Sequence, residues 1–217
     1  MEKYRAAKVF NDHAAEYDSW FSSSLLYDIE LAALQALQIT IPKPKLEIGV
    51  GPGHFARDLG VGFGLDPAMP TLHLARQRGI KCFLGVGEEL SLKNRSVGTI
   101  YLLFTLCFAT DPYKIIRECR RALQEGGYLV VGMIPAESKW GKYLAAKKKA
   151  DHIFYREANF YTIETVNDWL FKAGFQVVDS RSTLYQDPEQ VEQNEKPEIG
   201  LAEDAGFVVI AARKRDV

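Results

Sequence analysis

Three glycines recur at every second position behind an acidic residue in the stretch LEIGVGPG, residues 46–53. Gly49, Gly51 and Gly53 can each adopt a positive φ, and because they lack a Cβ they let a ligand approach the backbone. A helix that begins after such a turn also presents free N–H groups. A single glycine would indicate only a tight turn, whereas three behind an apolar strand indicate a ligand-binding loop.

The spacing of the glycines and two acidic residues narrow the choice of ligand. The dinucleotide fingerprint places its third glycine where this chain has His54, and the chain has no Gly-Lys-Ser/Thr ending typical of a phosphate loop. Glu47 would repel a phosphate and suits a positively charged ligand. Asp66 ends the next apolar run, where a carboxylate can accept both hydroxyls of a ribose. These residues predict a ribonucleoside with a cationic tail, a description that S-adenosylmethionine fits.

Strand-like and helical segments alternate along the chain around this loop. Such alternation is typical of a parallel sheet with helices on both faces. The last two strands, separated only by a polar stretch, are expected to be antiparallel neighbours. Residues 135–161 interrupt the alternation, and insertions at this edge of an α/β sheet tend to cover the ligand crevice. The expected strands are 45–50, 61–66, 80–85, 97–104, 128–134, 175–185 and 206–214, and the expected helices include 3–18, 26–37, 53–59, 68–78, one beginning at Asp111 or Pro112, and 162–173.

Length and composition favour one soluble domain. The chain has 217 residues, 47% of them hydrophobic and 25% charged, and its formal net charge of −1 gives no basic surface for nucleic acid or an anionic membrane. No apolar run approaches the roughly 20 residues of a membrane-spanning helix. Cys82, Cys107 and Cys119 lack the spacing of a zinc site, so no metal is expected, and free thiols indicate a reducing, cytoplasmic setting.

Several segments together resemble the class I S-adenosylmethionine-dependent methyltransferases, in particular the small-molecule branch that includes the ubiquinone/menaquinone C-methylases. The resemblance spans roughly residues 8–213 and is carried by LEIGVGPGHFARDL, GLDPAMPTLHLARQRG, GVGEELSLKNRSVGTI, DPYKIIRECRRALQEGGYLVVG, FNDHAAEYDSWF and FYTIETVNDWLFKAGF. It implies a Rossmann-like, doubly wound α/β sheet of seven strands. The last strand would lie antiparallel between the fifth and sixth, with helices on both faces and an N-terminal helical cap. One domain, 1–217, would comprise the cap (1–40), a cofactor-binding half (44–134), a lid insertion (135–161) and a C-terminal helix and strand pair (162–217).

The same resemblance assigns a set of residues to S-adenosylmethionine. The expected cofactor-binding residues are Glu47, Gly49, Gly51, Gly53, Asp66, Pro67, Ala68, Gly87, Glu88, Leu103 and Phe104. The chain departs from the family pattern at Val86 and Gly98, where aspartate is common, and in the short stretch between Gly53 and Asp66. The contacts to the adenine edge are therefore the least defined.

The residues that would act on the methyl acceptor are predicted from their types. A carbon or hydroxyl acceptor needs a base, for which His13 and His152 are candidates, and Tyr17 could orient the acceptor. Aromatic residues are dense in the cap and lid segments, and the signatures of base-methylating enzymes are missing. We therefore expect a small-molecule acceptor, with an amine or hydroxyl favoured over carbon, and a monomer or homodimer.

Two alternatives to that function stay open on the sequence. The altered adenine-edge segment around Val86 is compatible with a non-catalytic protein that binds S-adenosylmethionine for regulation. The α/β pattern alone is compatible with an NAD(P)-dependent oxidoreductase, although His54 in place of the third glycine disfavours it.

Overall fold

The computed structural model describes residues 5–215 and shows a single mixed sheet with helices on both faces. The helices are α1 (Arg5–Asp12), α2 (Ala14–Ser19), α3 (Leu25–Gln35), α4 (His54–Asp58), α5 (Met69–Gln77), α6 (Pro112–Ala122), α7 (Lys139–Lys149) and α8 (Ile163–Lys172), with a 3-10 turn at Leu106–Phe108. The strands are β1 (Lys45–Ile48), β2 (Phe63–Asp66), β3 (Lys81–Leu84), β4 (Val97–Leu103), β5 (Leu123–Met133), β6 (Phe175–Thr183), β7 (Glu198–Ile199) and β8 (Phe207–Lys214).

The sheet confirms the expected order and corrects the expected number of strands. The strands run β3-β2-β1-β4-β5-β8-β6-β7, with β1 to β5 parallel and β8 antiparallel between β5 and β6. The sheet has eight strands rather than seven, because Glu198–Ile199 pairs with the end of β6. This strand is too short to carry an alternating hydrophobic pattern, and it lies in the polar stretch that the sequence assigns to a connection.

The N-terminal segment also differs from the expected cap. The predicted helix 3–18 is two helices separated at His13, and its first two residues lie outside the described part of the chain. α1 and α2 both contact α5, whereas α3 packs against β6 and β8. Only the first two helices therefore form a cap, and the third belongs to the layer that covers the sheet.

The core is divided by the sheet into two layers. Every residue of β4 is buried, and its side chains alternate between the layers: Ile100 and Leu102 face α6 and α8, while Tyr101 and Leu103 face α3, α4 and α5. The sequence of a strand that is buried on both faces is a continuous apolar run. The doubly wound arrangement leaves the carboxyl ends of the parallel strands as the common edge at which loops meet.

Gly53 marks the place where two helices of one layer pack closely. It caps α4 with a φ of +86°, and a Cβ there would lie 2.9 Å from the Cβ of Ala75 on α5. Gly79 has the same φ of +86°, but a Cβ there would meet no atom within 4 Å. The two glycines thus share a backbone constraint and differ in packing.

Replacement of Gly53 by alanine should therefore destabilise the protein more than the same change at Gly79. We expect Gly79→Ala to lower the free energy of unfolding by about 1–2 kcal/mol, because of the left-handed backbone alone. Gly53→Ala should add about 1–3 kcal/mol from overpacking. Urea denaturation of the two variants measures the difference, and equal losses would contradict the packing role of Gly53.

Candidate functional site

A cavity of about 270 Å³ opens where the carboxyl ends of β1, β2 and β4 meet. This is the edge at which open α/β sheets bind ligands. The cavity brings together nine of the residues predicted from the sequence: Tyr17, Gly49, Gly51, Asp66, Pro67, Gly87, Glu88, Leu103 and Phe104. Five others do not line it: His13, Glu47, Gly53, Ala68 and His152.

Asp66 stands at the end of β2 and connects two loops of the cavity. Its Oδ2 accepts a hydrogen bond from the Gly51 amide at 2.9 Å, and its Oδ1 accepts one from the Ala68 amide at 2.8 Å. The side chain is buried, and burial raises its pKa to about 6 although both amide donors favour the charged form. Each carboxylate oxygen has a second lone pair, so Asp66 can still accept hydroxyl groups from a ligand.

Two glycines of the β1 loop serve different purposes. A Cβ on Gly51 would meet only the ring of Tyr17, at 3.4 Å, so the missing side chain leaves room within the cavity. A Cβ on Gly49 would lie 2.3 Å from the Oγ1 of Thr105, whose hydroxyl donates to the carbonyl oxygen of Ile48 at 2.8 Å. Thr105 lines the cavity and was missed by the sequence reasoning. The only feature of the sequence that could have indicated this role is the position of Thr105 just after the central strand β4.

Glu47 does not itself line the cavity, although Ile48 and Gly49 that follow it do, and its side chain is buried. Its side chain is 2% exposed, and its Oε2 has no hydrogen-bond partner among residues 5–215. Burial, with a further contribution from the charge of Asp66, raises the pKa of Glu47 well above its usual value. The facing residue on β4 is Tyr101, whose buried hydroxyl is also unpartnered in the described chain. A positively charged ligand group would compensate this carboxyl group.

The segment after β3 forms the opposite wall. Glu88 is buried and accepts hydrogen bonds from the amides of Thr110 and Asp111 at 3.0 and 3.3 Å, so one of its oxygens fixes the start of α6. A Cβ on Gly87 would lie 3.0 Å from Ile115, which makes glycine the residue that fits there. Val86 lines the cavity and gives this wall an apolar side chain.

Aromatic rings from three segments cover the cavity. Phe10 and Tyr17 of the cap and Phe108 after β4 line it directly, and the ring of Phe10 lies 4.9 Å from Tyr17 and 5.2 Å from Phe108. Phe154 packs behind them, with its ring 4.6 Å from that of Trp20. Burial raises the pKa of the Tyr17 phenol far above its usual value, so this hydroxyl stays protonated at neutral pH.

The two histidines predicted as bases contact the lid rather than the cavity. The Nδ1 of His13 lies 3.1 Å from a carboxylate oxygen of Glu16, and the ring packs against Phe154. The Nδ1 of His152 accepts a hydrogen bond from the Phe154 amide at 3.3 Å. The residues of this segment that do line the cavity are Glu157 and Asn159.

An ion pair and a hydrogen bond to Asp18 hold the cap over the cavity. Asp18 on α2 lies 2.7 Å from the Nε2 of His54 and 2.8 Å from the guanidinium of Arg78. The His54 ring also stacks on Phe21 at 4.6 Å. The residue that replaces the third glycine of the dinucleotide fingerprint therefore anchors the helix that carries Tyr17.

Comparison with known proteins identifies the family. The model of a methyltransferase domain matches residues 46–131. Uncharacterized proteins of Mycobacterium tuberculosis and Methanocaldococcus jannaschii are 41% and 36% identical to the chain, cover 95% of it in each case, and are themselves covered to 74% and 98%. The crystal structure of an S-adenosylmethionine-dependent methyltransferase from Thermotoga maritima, described as a possible histamine N-methyltransferase, is 33% identical. It covers 97% of this chain and is covered to 100%, with a TM-score of 0.88.

The chain belongs to the S-adenosylmethionine-dependent methyltransferases. The cofactor predicted from the glycines and acids is therefore S-adenosylmethionine, and the chemistry of the cavity fits it. Three features match a cationic ribonucleoside. A Cβ at Gly51 would narrow the cavity, Glu47 is a buried acid without a partner, and the carboxylate of Asp66 has free lone pairs. Among residues 5–215 of this methyltransferase, no helix combines the length and hydrophobicity that a membrane span requires.

Replacement of Asp66 should weaken binding of the cofactor product. Asp66→Asn removes the charge that strengthens hydrogen bonds to hydroxyl groups, a contribution of about 1.5–3 kcal/mol. We expect the Kd for S-adenosylhomocysteine, measured by titration calorimetry, to rise about 10- to 100-fold. Asp187→Asn makes the same chemical change at an exposed ion pair and serves as the control. An unchanged Kd in Asp66→Asn would contradict the assignment of Asp66 to the ligand.

Proposed function

We propose that this methyltransferase transfers a methyl group to a small molecule whose acceptor group is an amine or a hydroxyl. The observation that supports this most is the aromatic cover of the cavity, formed by Phe10, Tyr17 and Phe108. Pockets lined by aromatic side chains with few polar groups are typical of small-molecule sites. The Thermotoga maritima relative, described as a possible histamine N-methyltransferase, favours an amine.

Several residues would hold the cofactor within this cavity. Asp66 would accept the ribose hydroxyls, and Glu47 would compensate the amino group. Gly51 would allow close approach of the ligand to the backbone. The apolar wall that includes Val86 and Ile115 would contact the adenine. Bound S-adenosylmethionine would supply an electrophilic methyl group on a sulfonium.

The protein's own contribution would be alignment of the acceptor and exclusion of water. Such effects supply much of the barrier reduction in a displacement on an already nucleophilic acceptor. The rings of the cap would close the cavity, and Asp18 would keep the cap in place through His54 and Arg78. Tyr17 would donate a hydrogen bond to the acceptor, since its phenol stays protonated. His13 and His152 would need a movement of the lid to act as bases, so we assign the orienting role to Tyr17.

Other properties expected from the sequence belong to this proposal as well. They are the kinship with the ubiquinone/menaquinone methylases, a cytoplasmic location, and a monomeric or homodimeric state. An amine acceptor would set this methyltransferase apart from the carbon-methylating members of that branch.

A turnover screen tests the proposed function. The full chain, S-adenosylmethionine and a panel of small amines, phenols and alcohols should release S-adenosylhomocysteine only when an acceptor is added. A variant with Asp66→Asn should lose this activity at low cofactor concentration because it binds the cofactor weakly. Tight binding of S-adenosylmethionine without turnover on any acceptor would contradict the proposal and would instead support a regulatory binding protein.

A further inference from the structure

Glu157 belongs to the lid insertion and lines the cavity without a partner. Its side chain is half-buried, and within the described part of the chain it takes part in no hydrogen bond or ion pair. Asn159, the other residue of this segment that lines the cavity, has its Oδ1 bound by the Nζ of Lys148 at 2.8 Å. The segment therefore presents one polar side chain that the protein itself engages and one carboxylate that can bind a ligand.

The backbone that follows Glu157 is held by two hydrogen bonds. The carbonyl oxygen of Ala158 accepts one from the Nζ of Lys148 at 2.6 Å, and Ala158 itself is fully buried. The amide of Asn159 donates the other to the carbonyl oxygen of Cys107 at 2.7 Å, which joins the lid to the segment after β4. These contacts fix the position of Glu157 at the cavity wall.

The short stretch that carries Glu157 meets the aromatic cover of the cavity at both ends. On one side the ring of Phe154 lies 5.8 Å from that of Phe10 and 6.0 Å from that of Tyr17. On the other side the carbonyl group that holds the lid belongs to the residue directly before Phe108. Phe10, Tyr17 and Phe108 all line the cavity, so Glu157 reaches it beside the rings that the proposed function assigns to the acceptor.

The charged side chains on the cavity wall are acidic. Among residues 7–215, no lysine, arginine or histidine lines the cavity. Asp66 and Glu88 line it and each accept two backbone amides, whereas Glu157 accepts none. Charges of one sign on a cleft wall attract ligands of the opposite sign, and more strongly where water is excluded. The cavity therefore suits a cation, and Glu157 is the lining carboxylate that no backbone amide occupies.

The cofactor and the acceptor divide these carboxyl groups between them. In the proposed function the ribose of the cofactor is bound by Asp66 and its amino group by Glu47, so Glu157 at the aromatic cover is left for the second substrate. We propose that Glu157 binds a positively charged nitrogen of the methyl acceptor, so that the acceptor is a small amine with an aromatic or apolar body; this inference rests on the proposed function.

A carboxylate beside aromatic rings selects an amine over a neutral molecule of the same shape. Hydrogen bonds between an ammonium and a carboxylate are stronger than those between neutral groups, and the faces of aromatic rings attract cations. Glu157 binds the cation and takes no proton from it. When the bound nitrogen is itself methylated, one of its protons first leaves to water, and the electron pair freed in that way forms the bond to the methyl carbon.

Binding measurements with Glu157→Gln test the inference. The probes are histamine and 2-phenylethylamine, with 2-phenylethanol as the neutral analogue, each titrated into protein saturated with S-adenosylhomocysteine. Because hydrogen bonds to charged groups are the stronger ones, we expect wild type to bind at least one amine about 10-fold or more tightly than the alcohol. Glu157→Gln keeps the shape of the side chain and removes its charge, so it should lose that preference.

A second variant and a second ligand separate acceptor binding from other roles of Glu157. Asp151→Asn makes the same chemical change at an exposed position of the lid that does not line the cavity, and it should leave the preference for an amine unchanged. Glu157→Gln should bind S-adenosylmethionine and S-adenosylhomocysteine with the Kd of wild type. Unchanged cofactor binding also shows that the variant is folded, so a lost preference is then due to the missing charge.

Three outcomes would overturn the inference. They are wild type that binds neither amine more tightly than 2-phenylethanol, Glu157→Gln that retains the preference for an amine, and Glu157→Gln that binds the cofactor more weakly than wild type. Failure of wild type to bind S-adenosylhomocysteine at all would instead contradict the proposed function.

Discussion

The carboxylate of Asp66 joins the two loops that give the cavity its shape. One oxygen binds the Gly51 amide of the glycine loop and the other binds the Ala68 amide that precedes α5. The loops follow neighbouring parallel strands, so these two hydrogen bonds fix their separation at the edge of the sheet. Each oxygen of Asp66 has a second lone pair, and in the proposed function the group that joins the two loops also accepts the ribose hydroxyls.

Buried carboxyl groups dominate the electrostatics of the molecule. Burial raises the pKa of Asp66, Glu47 and Glu30, and only Asp66 has hydrogen-bond partners within the described chain. A carboxyl group without a partner destabilises a fold, and in the proposed function the amino group of the cofactor compensates that of Glu47. Asp18 pairs with the guanidinium of Arg78 and is hydrogen-bonded to His54, which keeps the helix with Tyr17 in place. Asp18 thus holds the cap over the cavity, whereas Asp66 and Glu47 bind the cofactor in the proposed function.

Local sequence predicted the parts of the site that depend on nearby residues. The glycine loop and Asp66 follow short apolar strands, and their chemistry pointed to S-adenosylmethionine. Contacts between distant segments could not be derived in this way: Thr105 meets Gly49 only once β1 and β4 pair, and Gly53 contacts α5 instead of the cavity. The burial of Glu30 could not be derived from the sequence, because nothing local indicates that α3 packs on β6 and β8. His13 was proposed as a base from its residue type alone. Its position depends on the break between α1 and α2, which the sequence did not predict.

A crystal structure of the full chain with S-adenosylhomocysteine would test the central claim, that the carboxyl groups around the glycine loop recognise a ribonucleoside with a cationic tail. We predict that the ribose hydroxyls lie within hydrogen-bonding distance of both oxygens of Asp66, and that the amino group of the ligand reaches Glu47 directly or through one water. A ligand seated elsewhere, or one whose ribose and amino group both avoid these two carboxyl groups, would contradict the claim.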